Sequence, residues 1–436
     1  MDIAVIGLGK LGLPSAACFA SKGNKVTGVD LNQGFVEILN AGGNPVAEPG
    51  LDGLLEKARP NLQFTTDARK IPPKTQLYLI VVPTPSGDDN KFVNRYVCGA
   101  LEGLLPSIRS GMDEGIYPVV DVVSTVMPGS CDDVFKPLLE KGLNGFCGKD
   151  FGLIYNPEFI ALGSVVHNFM HPDMLLVGES DKVAGDVVQR AYESLLGEDQ
   201  AQKITQRMSF VNAEITKLSL NCSLSVKISI ANFLALLCER FPGADVDAVT
   251  RAIGYDKRIG SKLMKAGLGP GGPCLPRDLR ALRTVMPEEY SPYVMQRKVN
   301  RWIRELVVRR ITQNIPAGGR IALLGMSYKP GTHVIEETES FPIANMLIER
   351  GYRVVWFDPL VSEADFIAAP KADSLKAACE RVDAVALLTL DSYWQEQNWS
   401  AVLDGDRVYV VDCWRQLRDV SWEKDGVSYW GLGLRY

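Results

Sequence analysis

The chain of 436 residues has no excess of basic charge. Its formal net charge at pH 7 is −5, so nothing in it suggests a nucleic-acid binder, and an anionic ligand has to be held by a local site. Its nine cysteines include no CxxC pair and no paired Cys/His spacing, which argues against a disulfide framework and against a metal site. An odd number of thiols in a chain of this size fits a reducing compartment. No uninterrupted apolar run approaches ~18–20 residues, so no transmembrane helix is expected. Met1-Asp2-Ile3-Ala4-Val5-Ile6 enters a strand pattern directly, with no basic leader, so no signal peptide is expected. The expectation is a cytoplasmic protein without nucleic-acid or membrane partners.

What is present is ordinary soluble composition, 46% hydrophobic and 23% charged, with length for roughly two to four domains. The apolar run Ile3–Ile6 ends in Gly7-Leu8-Gly9-Lys10-Leu11-Gly12, a helical pattern follows to about Gly23, and a second run from Lys25 ends at Asp30. Strand, glycine turn, helix, strand and acid form the dinucleotide fingerprint. Gly7 makes the tight turn, Gly9 admits a pyrophosphate, Gly12 lets helix and strand pack, and Asp30 accepts from ribose hydroxyls. No arginine follows Asp30, which favours NAD over NADP. The competing reading is a tight turn with no ligand.

Three further buried-strand patterns end in Pro83-Thr84-Pro85, in Ser124-Thr125-Val126, and in Asn156-Pro157-Glu158-Phe159. They predict a parallel sheet covered on both faces, with Thr84, Thr125, Asn156 and Glu158 on the carboxyl rim where such sheets bind ligands. Each could equally be a turn or cap residue. From about Ser209 to Pro242 apolar residues recur at helical spacing, predicting a long helix buried on most faces and a dimer interface. Lys217 and Asn221, four apart, share one face of it. They are functional or paired there, or Lys217 snorkels at the helix edge.

The loop Gly267–Asp278 holds one cysteine, Cys274, among glycines and prolines that permit close approach and rigidify the turn. Cys274 is a candidate nucleophile; the bland reading is a small buried hydrophobe. Glu288 to Ile315 reads as a helix. A second βα series then opens at Arg320, and its first turn lacks the glycine triplet but offers Lys329 to a phosphate. The expected architecture is α/β, two doubly wound Rossmann-like domains joined by a helical central domain. The expected boundaries are 1–206 for NAD binding, 207–315 for the helical dimerisation domain with the cysteine loop, and 316–436 for nucleotide-sugar binding.

These motifs, in this order and over essentially the whole length, resemble the UDP-glucose/GDP-mannose dehydrogenase family. The likeness also takes in Arg258-Ile259-Gly260, Gly271-Gly272-Pro273-Cys274, Tyr328-Lys329-Pro330 and Phe357-Asp358-Pro359. It implies a homodimer that oxidises a nucleotide-sugar's primary alcohol twice with NAD, leaving a uronic acid. Cys274 then forms the thiohemiacetal and thioester, and Lys217 and Asn221 stabilise oxyanions. Glu158 serves as acid or base, while Thr125 and Asp278 order the hydrolytic water. By the same resemblance Leu11, Pro83, Thr84 and Thr125 join Gly7, Gly9, Gly12 and Asp30 around the cofactor. Glu158, Phe159, Lys217, Asn221, Gly271 and Lys329 contact the substrate, with Arg258 reaching it from a neighbouring subunit.

The chain departs from the family pattern at Leu162, where an acid is usual, and at Pro273, Arg277, His333, Val334 and Glu336. UDP-glucose going to UDP-glucuronate is the first reading. GDP-mannose or another nucleotide-sugar, or a member that binds without turnover or oxidises only once, is the alternative.

Overall fold

The computed structural model describes residues 1–160, 163–286, 291–362, 367–403, 407–422 and 426–435, with the backbone alone at Pro292 and Tyr293. The chain forms two compact units, Met1–Ser219 and Leu220–Tyr436.

The first unit is built on an eight-stranded sheet. Its strands are β1 (Asp2–Ile6), β2 (Lys25–Val29), β3 (Leu62–Thr65), β4 (Leu77–Ile80), β5 (Val119–Val122), β6 (Gly152–Tyr155), β7 (Leu175–Glu179) and β8 (Thr205–Met208). β4, β5 and β6 are buried at every position, as strands covered on both faces must be. Period-two alternation deals their side chains to two cores. Ile3, Val5, Leu77 and Leu79 enter one, Ala4, Ile6, Tyr78 and Ile80 the other. Helices α1 (Gly12–Ser21) and α2 (Lys182–Leu196) pack in the first of these cores. The order β3-β2-β1-β4-β5-β6-β7-β8 reverses between β1 and β4, which opens the crevice at their carboxyl ends.

One departure from a wholly parallel sheet occurs: β7 runs antiparallel to β6, Ile154 opposite Glu179 and Tyr155 opposite Gly178. The connection from Asn156 therefore stays at the carboxyl edge of β6 instead of crossing a sheet face.

Helix α3 (Phe210–Cys238) runs 29 residues from the first unit into the second. By length and a mean hydropathy of 1.5 over its most apolar window it is long enough to span a bilayer. Its buried face, however, carries Glu214, Lys217, Asn221, Ser225, Ser229 and Asn232, three or four residues apart. Several of these are hydrogen-bonded inside the protein, which marks a core helix. The helix is not buried on most faces as its composition predicts. Val211, Ile215, Ile230, Phe233 and Leu237 stand exposed along one side.

In the second unit, α4 (Leu275–Arg283) and α5 (Pro292–Asn314) precede the strands. The sequence predicts α5 from Glu288, a start that lies outside the described residues; Pro292 occupies the first helical position, where its missing N–H costs nothing. A five-stranded, wholly parallel sheet follows: β9 (Arg320–Leu324), β10 (Arg353–Phe357), β11 (Ala384–Leu387), β12 (Val408–Asp412) and β13 (Val427–Gly431). Its order β10-β9-β11-β12-β13 reverses between β9 and β11, so the turn bearing Lys329 lies at a second switch point.

Candidate active site

The turn after β1 has the shape of a dinucleotide cradle. Gly7 has φ +91°, and a Cβ there would strike the Val81 carbonyl; a Cβ on Gly12 would strike the carbonyl of Gly7. At Gly9 the same Cβ would meet nothing within 4 Å. That open side adjoins the start of α1, whose N-cap Leu11 provides no side-chain acceptor and whose first turn holds no acid. A helix N-terminus beside a bare glycine fits an anionic pyrophosphate. Asp30, at the end of β2, accepts from the amides of Leu8 at 2.8 Å and Asn32 at 2.9 Å. It remains partly exposed, with lone pairs left for hydroxyls.

On the neighbouring loops Pro83 is exposed, Thr84 buried and Thr125 partly exposed. The Thr84 hydroxyl donates to the Thr125 carbonyl at 2.6 Å, and the Ser124 hydroxyl to the Val82 carbonyl at 2.6 Å, so the loops after β4 and β5 are tied together. Asn156 follows the last residue of β6 and is fully buried, its side chain donating to the Leu176 carbonyl.

Glu158 is partly buried at the head of the loop after β6. The Lys217 ammonium donates to its carbonyl at 2.6 Å and lies 4.5 Å from the centre of the Phe159 ring. The Glu158 carboxyl lies 2.7 Å from the Tyr192 hydroxyl. Desolvation pushes this carboxyl up to about 7, against the opposing pull of the Tyr192 hydrogen bond and the Lys217 charge. A carboxyl with that balance can both hold and release a proton near neutral pH.

In the second unit Cys274 is the single exposed thiol of the nine. It occupies the N-cap position of α4, with the Asp278 amide donating to its carbonyl at 2.9 Å. A helix N-terminus favours a thiolate. The loop around it is fixed at both ends by α3. Asn232 accepts from the Gly267 amide at 2.9 Å, and Asn221 donates to the buried Asp278 carboxylate at 2.6 Å. The other Asp278 oxygen faces the Arg277 guanidinium at 3.3 Å. Between these anchors the loop lies against the unit's own chain, not open space. Gly272 has φ +87° beneath the Tyr328 ring and donates to the Glu336 carbonyl at 2.9 Å; a Cβ on Gly271 would come 2.6 Å from the Glu337 carbonyl. Several of the loop's glycines thus serve close packing against protein. Tyr328 is pushed up to about 12, by burial first and then by the charge of Cys274, which places it within electrostatic reach of the thiol.

Lys329 lies beside Tyr328, its ammonium 5.8 Å from the ring centre. Arg258 is exposed and paired with Asp256 at 2.6 Å. Of the departures from the family pattern, Val334 is core and accepts from the Tyr328 amide, while Leu162 lies outside the described residues. Tyr192, Asp121 and Asn232 are not singled out by the sequence, because each sits in a segment that reads as packing.

The cradle in the first unit fits a dinucleotide such as NAD. Family profiles match along the chain: the UDP-glucose/GDP-mannose dehydrogenase NAD binding domain over residues 1–196, its central domain over 211–302 and its UDP binding domain over 322–419. The chain belongs to that family and is an NAD-dependent nucleotide-sugar dehydrogenase. It is 32% identical to the UDP-glucose 6-dehydrogenase AglM of Haloferax volcanii, covering 94% of this chain and 97% of that one. To the UDP-glucose 6-dehydrogenase of Pseudomonas aeruginosa it is 31% identical, covering 97% and 90%. Among solved structures, a UDP-glucose dehydrogenase from Pyrobaculum islandicum superposes with a TM-score of 0.84 at 28% identity, covering 99% and 98%. The UDP-N-acetyl-mannosamine dehydrogenase Cap5O of Staphylococcus aureus gives 0.78 at 26%, with the same coverage.

Proposed function

We propose that the chain oxidises the primary alcohol of UDP-glucose to the carboxylate of UDP-glucuronate, with Cys274 as the covalent nucleophile. The observation that carries the covalent step is Cys274 itself, exposed at the start of α4 in a loop clamped by Asn221 and Asn232. The substrate reading is supported by UDP-glucose 6-dehydrogenases at 32% and 31% identity over nearly the full length.

Gly7, Gly9, Leu11, Gly12, Asp30, Pro83, Thr84 and Thr125 would hold NAD, two molecules of which, bound in succession, would each supply the acceptor for one of the two hydrides. Glu158 takes the alcohol proton as the first aldehyde forms. The Cys274 thiolate adds to the aldehyde carbon, giving a thiohemiacetal whose oxyanion Lys217 and Asn221 stabilise. Loss of the second hydride leaves a thioester, which water cleaves to the carboxylic acid and the free Cys274 thiol. Asp278, oriented by Asn221, serves that water together with Thr125. Phe159, Gly271 and Lys329 contribute to holding the sugar nucleotide, and Arg258 acts across a homodimer.

A second copy packing on Val211, Ile215, Ile230, Phe233 and Leu237 of α3 would cover an otherwise exposed apolar row. Another UDP-sugar is the second reading, favoured by the likeness to Cap5O. A panel of nucleotide-sugars, screened by thermal shift with NAD and followed by mass analysis of products, tests the choice. UDP-glucose should give the largest stabilisation and UDP-glucuronate; selective turnover of an N-acetylated or GDP-linked sugar would replace it.

A further inference from the structure

Around Glu158 the first unit holds a connected polar group inside an apolar core. Asn156 Nδ2 donates to the Leu176 carbonyl at 2.8 Å, which fixes the amide so that Oδ1 faces the Tyr192 hydroxyl, also at 2.8 Å. The same hydroxyl lies 2.7 Å from Glu158 Oε1. Asn156 and Tyr192 are both fully buried. A phenol carries one proton and cannot donate to both neighbours at once. When it donates to Asn156, its oxygen accepts from Glu158, which must then be a carboxylic acid. When it donates to Glu158, the carboxylate is satisfied and Asn156 Oδ1 loses this donor.

We propose that Tyr192 and Asn156 are positioning residues for Glu158, forming a two-position hydrogen-bond relay in which the Tyr192 proton turns toward Asn156 when Glu158 is protonated and toward Glu158 when it is ionised. Tyr192 keeps its proton throughout and only rotates it. The proton exchanged with substrate or solvent is the one on Glu158, so that carboxyl has a partner in both states and does not swing away between the two oxidations. The relay rests on the reading of Glu158 as the proton carrier and deepens it.

The other ionisable groups acting on this cluster are accounted for. Lys217 from α3 holds the Glu158 carbonyl, and its charge favours the ionised carboxyl. Asp121 on β5 is fully buried, and burial followed by the Glu158 charge raises it well above the ordinary range, against the opposing pull of the Asn156 backbone amide. Cys18 on α1 is pushed up to about 12, again by burial first and by Glu158 second. Cys18 and Tyr192, the latter raised well above the ordinary phenol, thus keep their protons near pH 7, where Glu158 titrates.

The two arms of the relay pull in opposite directions, which gives the test. Removing the Tyr192 hydroxyl takes a donor from the carboxylate. Removing Asn156 Oδ1 removes the acceptor that competes for that hydroxyl proton. In the intact protein with NAD, the Glu158 midpoint is read by infrared difference titration, its band assigned by loss in Glu158→Gln, and in parallel from the pH profile of kcat. Tyr192→Phe should move the midpoint up by about one pH unit, and Asn156→Leu should move it down. A midpoint unmoved or lowered in Tyr192→Phe, which preserves the packing, overturns the relay even if Asn156→Leu fails to fold. Shifts of both variants in the same direction overturn it as well. Full turnover by Glu158→Gln would sink the acid–base reading alone, because the infrared titration judges the relay without catalysis.

Discussion

Cys274 differs from the other eight thiols in a way that chemistry can read out. Those eight are buried or partly buried, and desolvation is the leading cause raising every one of them, whereas Cys274 is exposed at a helix start. Iodoacetamide near neutral pH should therefore label one site fast, peptide mapping should place it at Cys274, and activity should fall in step. Fast labelling elsewhere with activity retained would count against the nucleophile. Asp121 makes a second prediction, with its sign set by linkage. Its folded-state value is raised, so the stability it contributes is fully present below about pH 4, the unfolded value, and is lost as pH rises above that. Asp121→Asn removes the loss. It should stabilise the protein at pH near 8 and have little effect at pH near 4, measured by thermal melts. Equal effects at both pH values would show that the carboxyl is ionised in the folded state.

Helix α3 carries polar residues bonded within each unit, and its two faces obey different constraints. Along the buried face Glu214 accepts from the amides of Gly129 at 2.6 Å and Cys131 at 2.9 Å, and Lys217 holds the Glu158 carbonyl. Further along the same face Asn221 and Asn232 clamp the two ends of the cysteine loop. Asn232→Ala frees the Gly267 end, and a displacement of the thiol by even an ångström costs catalysis steeply. The variant should lower kcat by about 10–100-fold and leave NAD affinity unchanged, as read from steady-state kinetics beside a cofactor titration. Loss of affinity with kcat preserved would contradict the clamp. The sequence makes α3 legible as a helix, because its 3.6-residue apolar period is strong, and marks Lys217 and Asn221 as odd. Asn232, three turns beyond Asn221, escapes notice because no charged residue stands four positions from it as Lys217 does from Asn221. The cradle is legible for the opposite reason: Gly7, Gly9, Gly12 and Asp30 are a local code read within thirty residues. The Glu158–Tyr192–Asn156 contacts join residues up to 36 apart, and the antiparallel β7 depends on tertiary pairing, so neither leaves a local signature.

Two doubly wound sheets, each with a reversal of strand order, give the chain two ligand rims of different character. At the first, Asp30 keeps free lone pairs. At the second, the corresponding Asp358 is buried and spends its oxygens on the amides of Met326, Ser327, Leu360 and Val361, bracing the turn that presents Lys329. The first rim suits a ribose, the second a phosphate. The apolar row on α3 leads to an assembly prediction: the wild-type chain should be a dimer by light scattering, and Ile230→Glu with Phe233→Glu should shift it to monomer. A monomeric wild type would contradict that use of the surface. The most direct test of the whole account is the NADH yield per UDP-glucose consumed, measured side by side in the wild type and Cys274→Ala. Two NADH per sugar with UDP-glucuronate as product in the wild type, and no uronate from the variant despite intact NAD binding, is the predicted result. One NADH per sugar in the wild type, or undiminished uronate from the variant, would contradict it.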